Sequence, residues 1–154
     1  MGRQLPGSIV NAVRVLTAIV LVSGATAALT WVQSDEVVLS WAEGNSSAQD
    51  LLAEGGLDAL RQSPIVPDFV PLAIVSFLVF ATLAVVLAAF LVAGHGWARL
   101  GLTAMVALGV LVAAVGLRNS LPTMFVVLSL ANLALYAVLL FFLWRREASD
   151  HLRG

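Results

Sequence analysis

The chain has 154 residues, 60% hydrophobic and 11% charged, with a formal net charge of −1. Soluble domains carry about a quarter charged residues, so this chain cannot clothe a water-facing surface, and its charge balance excludes a nucleic-acid partner held by bulk electrostatics. Cysteine is absent, which removes disulfides, thiol catalysis and cysteine metal sites.

A helix crossing the hydrocarbon core needs about 20 mostly apolar residues. Four stretches qualify: 8–32, 70–93, 97–117 and 121–144. The first has a basic start, as a secretory signal does, and "SGATAA" offers small residues to a peptidase. Its apolar run exceeds the roughly 7–15 residues of a signal h-region, so it is read as a retained span. Arg14 is set more than one turn inside it, and Asn11, three residues earlier, shares its helix face. An ionisable side chain inside a span is a functional candidate. Asn11 and Arg14 are therefore candidates for a lipid-headgroup or partner contact, against the plainer role of an interfacial anchor. Further along, Ser23/Ala27 and Gly24/Ala28 form two small-xxx-small pairs of the kind that lets helices approach closely in lipid.

The loop 33–69 carries Asp35, Glu36, Glu43, Asp50, Glu54, Asp58 and Asp68 against Arg61 alone. "SSAQDLLAEGGLDALRQS" predicts one or two short helices. Ser47 followed by Asp50 resembles a capping box, Leu51, Leu52, Leu57 and Leu60 supply a partial apolar face, and Gly55-Gly56 divides the segment. A helical lid over the span ends is one reading. A docking surface or an acidic funnel that concentrates cations is the other. The spacing of an EF-hand is absent, and Asn45-Ser46-Ser47 matches a glycosylation sequon that means nothing in a bacterium.

The second span opens on Pro71 and ends in "VAGHGWARLG". Gly94 and Gly96 permit a tight turn, Trp97 anchors at the interface, and Arg99 snorkels to the headgroups, a second candidate for lipid or partner contact. His95 reads as an exposed turn residue, and His151 as part of a polar tail. In the third span Gly109, Ala113 and Gly116 share a face suited to helix packing. Ser120 is placed to cap the fourth, with Pro122 in its first turn. There Ser129, Asn132 and Tyr136, at i, i+3 and i+7, fall on one face. An amide near the bilayer middle must find a partner, so this face is read as interhelical glue, with a polar lining as the alternative. Trp31, Trp97 and Trp144 all fall at predicted span ends, where tryptophan prefers to sit.

Arg3, Arg14, Arg99, Arg145, Arg146 and Arg153 gather on one side of these spans, with Arg118 and the acidic loop's Arg61 opposite. Arginine-rich short segments stay cytoplasmic, so both termini are expected inside and the acidic loop outside. The absence of lysine, together with the Ala, Leu and Val content, points to a GC-rich bacterial genome and hence to a bacterial plasma membrane. No HExxH, Walker loop or intramembrane histidine or carboxylate is present, so no enzyme, metal or cofactor is expected. The fold expected is an all-α integral membrane four-helix bundle, one domain over 1–154, with a short helical extracytoplasmic loop between helices 1 and 2. The role expected is a non-enzymatic accessory or interaction protein whose partners are the bilayer and another membrane protein or a second copy, with no nucleic acid. The alternative is a subunit of a small oligomeric channel or transporter.

Three stretches, "AQDLLAEGGLDAL", "HGWARLGLTAMVALGVL" and "WRREASD", give the layout a likeness over most of its length. It resembles the small four-span membrane proteins of actinobacteria that have no assigned function. The resemblance implies the topology just derived and adds no activity or site residues.

Overall fold

The computed structural model describes residues 5–118 and 121–152; Arg3, Ser120 and Arg153, which entered the charge count and the capping argument, lie outside them. In chain order the helices are α1 (Gly7–Val32), α2 (Ser34–Glu43), α3 (Ser46–Gln62), α4 (Phe69–Val92), α5 (Gly96–Arg118), α6 (Thr123–Leu143) and α7 (Arg146–His151). Four of them, α1, α4, α5 and α6, are long and apolar enough to cross a membrane. The shortest, α6 with 21 residues, rises about 31 Å at 1.5 Å per residue, enough for a hydrocarbon core of about 30 Å. The protein is thus an all-helical, multi-pass membrane bundle.

Around the bundle the order is α1, α4, α5, α6, each packed against its two neighbours, with α1 making the broadest interfaces, against α6 and α4. Helices consecutive around the ring run antiparallel, the up-down-up-down arrangement that short connections favour. The start of α1, the α4–α5 turn and α7 therefore share one end, called here the arginine-rich end. The other, cap end carries α2 and α3. Large apolar side chains such as Leu21, Leu72, Val85, Leu108 and Val112 point outward and are exposed, as lipid-facing residues are.

The core is unevenly distributed. Ile9, Ala12, Leu16 and Ile19 of α1, Ala84, Leu87 and Leu91 of α4, Ala98, Leu102 and Val106 of α5, and Tyr136, Leu139 and Leu143 of α6 form one buried cluster. Their spacings of three and four residues put each set on one helix face, and all lie in the half toward the arginine-rich end. Toward the cap end the same face of α1 continues as Ser23, Ala27 and Thr30. Along α1 this face changes from branched aliphatic to small and hydroxylated, with Phe77 of α4 close against Gly24 and Phe125 of α6 buried in the same half. Thr26 and Thr30 donate their hydroxyl protons to the carbonyls of Val22 and Thr26 at 3.0 Å each, which leaves the helix intact without a second helix as partner.

At the cap, α2 and α3 form a helical hairpin over a small core of Val38, Ala42, Ala48 and Leu60, and Arg61 of α3 pairs with Asp35 of α2. The structure departs from the sequence reading here in two ways. Ser34–Glu43 is helical, which was not expected; Asp35 and Glu36 in its first turn favour the N-terminal dipole, and Val37, Val38, Trp41 and Ala42 give it a buried face. The N-cap of α3 is Asn45, whose side chain accepts from Ala48 N–H at 3.4 Å, so Ser47 and Asp50 form no capping box. Gly56, with φ 67° and ψ −163°, interrupts α3 and divides it into two helical segments, as expected of Gly55-Gly56. At α6 the N-cap is Pro122, one residue ahead of the first turn where it was expected.

Candidate functional site: a latched turn and a buried amide

The stretch from Val92 to Arg99 ends α4 and starts α5. Gly94 has φ 89°. Its N–H bonds Leu91 carbonyl at 3.1 Å, and His95 N–H bonds Phe90 carbonyl at 3.0 Å. These two bonds define a Schellman motif, in which the left-handed position after the helix belongs to glycine. His95 packs its ring edge-on to Phe90 at 5.3 Å, the apolar contact that usually accompanies the motif, and is otherwise exposed. Its carbonyl then accepts from Ala98 N–H at 3.1 Å to open α5.

The motif satisfies the carbonyls of Phe90 and Leu91 and leaves that of Val92 to find a donor outside the helix. The C-terminal segment supplies one. It is not a free polar tail: α7 folds back over the turn, with Ala148 fully buried and Leu152 against the core. His151 Nε2 lies 3.3 Å from Val92 carbonyl. A carbonyl only accepts, so the ring is the Nε2–H donor in this contact. A Cβ on Gly94 would meet His151 carbonyl at 3.6 Å, and one on Gly96 would meet Leu152 carbonyl at 3.4 Å, so tail backbone lies directly on the two glycines.

Arg99 ties this arrangement together. A candidate for lipid or partner contact in the sequence, it donates to Ser149 Oγ at 3.0 Å and stacks over the Trp144 ring at 4.3 Å. Trp144 Nε1–H donates to Thr103 Oγ1 at 3.3 Å, Thr103 donates to Arg99 carbonyl at 2.9 Å, and Ser149 donates to Arg145 carbonyl at 3.3 Å. Helices α5, α6 and α7 are thereby joined by one polar chain. The sequence signal for it was slight: Trp144, Ala148 and Leu152 recur at four-residue intervals in an otherwise polar tail. Arg14 is exposed at this end without an ion pair among the described residues, and Asn11 is half-buried beside it.

The second site lies between helices. Asn132 of α6 donates its amide N–H to Ser23 Oγ of α1 at 3.4 Å, while its Oδ1 is buried without a partner. Tyr136, one turn on, is buried against Gly109; a Cβ there would sit 2.5 Å from the phenol oxygen. Gly109 is therefore the notch through which Tyr136 reaches α5. Ser129 and Ala113 are half-buried, and Gly116 lies where a Cβ would touch Leu121 at 3.3 Å. The expected face is thus split between two interfaces: Asn132 turns to α1 and Tyr136 to α5.

Among the described residues no group of three or more His, Asp or Glu side chains could hold a metal ion. Compared with known protein families, curated proteins and solved structures, the chain matches none.

Proposed function

We propose that the chain is a non-enzymatic accessory protein of a bacterial plasma membrane, with both termini in the cytoplasm, that works by contact with another membrane protein or a second copy of itself. The observation that carries this reading is the plug at the arginine-rich half. Leu16, Leu102, Leu139 and Leu143 close the bundle axis and are all at most 4% exposed, so one copy offers no polar path across the membrane. The latch supports it as well. The tail covers the α4–α5 turn and turns Arg145, Arg146, Glu147 and Asp150 outward, a mixed-charge surface suited to protein contact rather than to chemistry. The alternative, a subunit of an oligomeric channel or transporter, draws on the hydroxyls and the amide on α1 and α6 in the cap-side half.

Gentle detergent extraction of the tagged full chain tests the proposal. A partner present in fixed stoichiometry, or a defined homo-oligomer that passes no ions after reconstitution into liposomes, is the expected result. Ion or solute flux from the purified chain would overturn it in favour of the channel.

A further inference from the structure

Where α6 ends, at the arginine-rich end, two guanidinium groups lie against aromatic rings instead of against carboxylates. Arg99 of α5 stacks over the Trp144 ring at 4.3 Å, and Arg145 over the Phe141 ring at 5.2 Å. Phe141 and Trp144 are both exposed. They are three residues apart, so the two rings are neighbours, with Cβ atoms about 5–6 Å from each other. Ser149 Oγ links the two arginines, accepting from Arg99 Nη1 at 3.0 Å and donating to Arg145 carbonyl at 3.3 Å. Both side chains are permanent cations, and neither forms an ion pair among the described residues.

Their depth and their free donors define the ligand. Phe141 is in the last turn of α6 and Arg99 in the first turn of α5, which sets the pair at the ends of two spans, where acyl chains give way to headgroups. A cation at that level without a counter-charge is costly. Arg99 Nη2 is not buried and donates to no group of the described residues. The Arg145 side chain is exposed, and its guanidinium touches the Phe141 ring without donating to any described group. A planar guanidinium laid on a ring turns its outer N–H groups to the ligand as the fork that matches a phosphate. On α6, Val138, Phe141 and Arg145 fall at i, i+3 and i+7, on one face. Val138 and Phe141 are exposed, so an apolar strip leads from Arg145 into the membrane. A ligand with both a phosphate and a hydrocarbon chain matches the cations and the strip together; a free phosphate matches only the cations.

We propose that Arg99 and Arg145 form a site for the phosphate of an anionic phospholipid, whose acyl chain lies along Val138 and Phe141. The site holds whichever side of the membrane the arginine-rich end faces, and it does not depend on the accessory role. The test is native mass spectrometry of the full chain in a neutral detergent, titrated with phosphatidylglycerol or with phosphatidylcholine of identical acyl chains. Phosphatidylglycerol is expected to bind the more tightly. Arg99→Gln and Arg145→Gln should each lower its affinity about tenfold, the equilibrium worth of one hydrogen bond to a charged group. Arg146→Gln removes the same charge from the next position, where no ring holds the side chain, and should change the affinity by no more than about twofold. Glycerol 3-phosphate in large excess should not displace the lipid. Equal affinity for the two lipids would overturn the proposal. So would displacement by glycerol 3-phosphate, which would make this a site for soluble phosphates. So would an equal loss in Arg145→Gln and Arg146→Gln, which would reduce the site to a diffuse field of charge. Should Arg99→Gln disturb the tail and shift the thermal transition, Arg145→Gln decides alone, because only the carbonyl of Arg145 takes part in the latch.

Discussion

At the turn between α4 and α5, three neighbouring residues have different sensitivities for reasons visible in their backbone. Gly94 occupies a positive-φ position, so Gly94→Ala forces a Cβ into a conformation that costs L-residues about 1–2 kcal/mol. The new methyl would also touch His151 carbonyl. His95 exposes its side chain and contributes its backbone to the motif, so His95→Ala should change stability by no more than about 0.5 kcal/mol. Gly96 is already helical and falls between the two. Thermal unfolding of the three variants in one detergent should rank them Gly94, Gly96, His95 in falling order of destabilisation. A His95→Ala that unfolds as readily as Gly94→Ala would contradict the Schellman assignment. That a glycine was needed in "GHG" could be read from the sequence. Which of the two carried the positive φ could not, because both stood at a span junction and only the bond from His95 N–H to Phe90 carbonyl distinguishes them. Asn132 was legible for a related reason: an amide in the middle of an apolar run has few places to go. Its partner Ser23 was not, since it lies 109 residues away and nothing in either helix announces the register between them.

Among the elements, the four spans declare themselves because lipid imposes one requirement on every residue, an apolar surface sustained for about 20 positions. The two elements the sequence hid, α2 and α7, are short and lie outside that requirement. Each is stabilised by what it covers, as short helices must be: α2 by α3 and the start of α4, α7 by the turn and by Arg99. Ala148 is the point where α7 meets the bundle, and it is fully buried. Replacing it with arginine puts a long cation where there is space for one methyl, which should lift α7 off while leaving the spans in place. Hydrogen exchange over 145–152 should then rise toward that of a free peptide, with protection in α1 and α6 unchanged. Arg99→Ala should loosen the same segment less, by about 1–2 kcal/mol, since it removes one charged hydrogen bond and one cation–π contact but keeps the apolar footing. If both variants leave exchange over 145–152 as slow as in the parent chain, the latch is not what holds the tail.

For the whole molecule, the asymmetry of charge and the asymmetry of packing coincide. Arg14, Arg99, Arg145 and Arg146 lie at the end where the core is dense and aliphatic, while the end with the cap is acidic, and there α1 turns the smaller Ser23, Ala27 and Thr30 inward beside the buried Phe125. Of the two basic side chains on the cap side, Arg61 is spoken for by Asp35, leaving Arg118 in the last turn of α5, where a cation complements the helix dipole. Retention of arginine on the cytoplasmic side then predicts one threading, with the plugged and latched end inside and the cap outside. The chain has no cysteine of its own, so single cysteines report position without background. Ala53 in α3 and Asp150 in α7 are both exposed and lie at opposite ends of the bundle. In intact cells a membrane-impermeant maleimide should label Ala53→Cys and leave Asp150→Cys unmodified until the membrane is opened. Labelling of Asp150→Cys alone would reverse the threading and place the latch outside. Labelling of both in intact cells would mean that the population inserts in two orientations, and that four arginines at one end against Arg61 and Arg118 at the other do not suffice to orient this bundle.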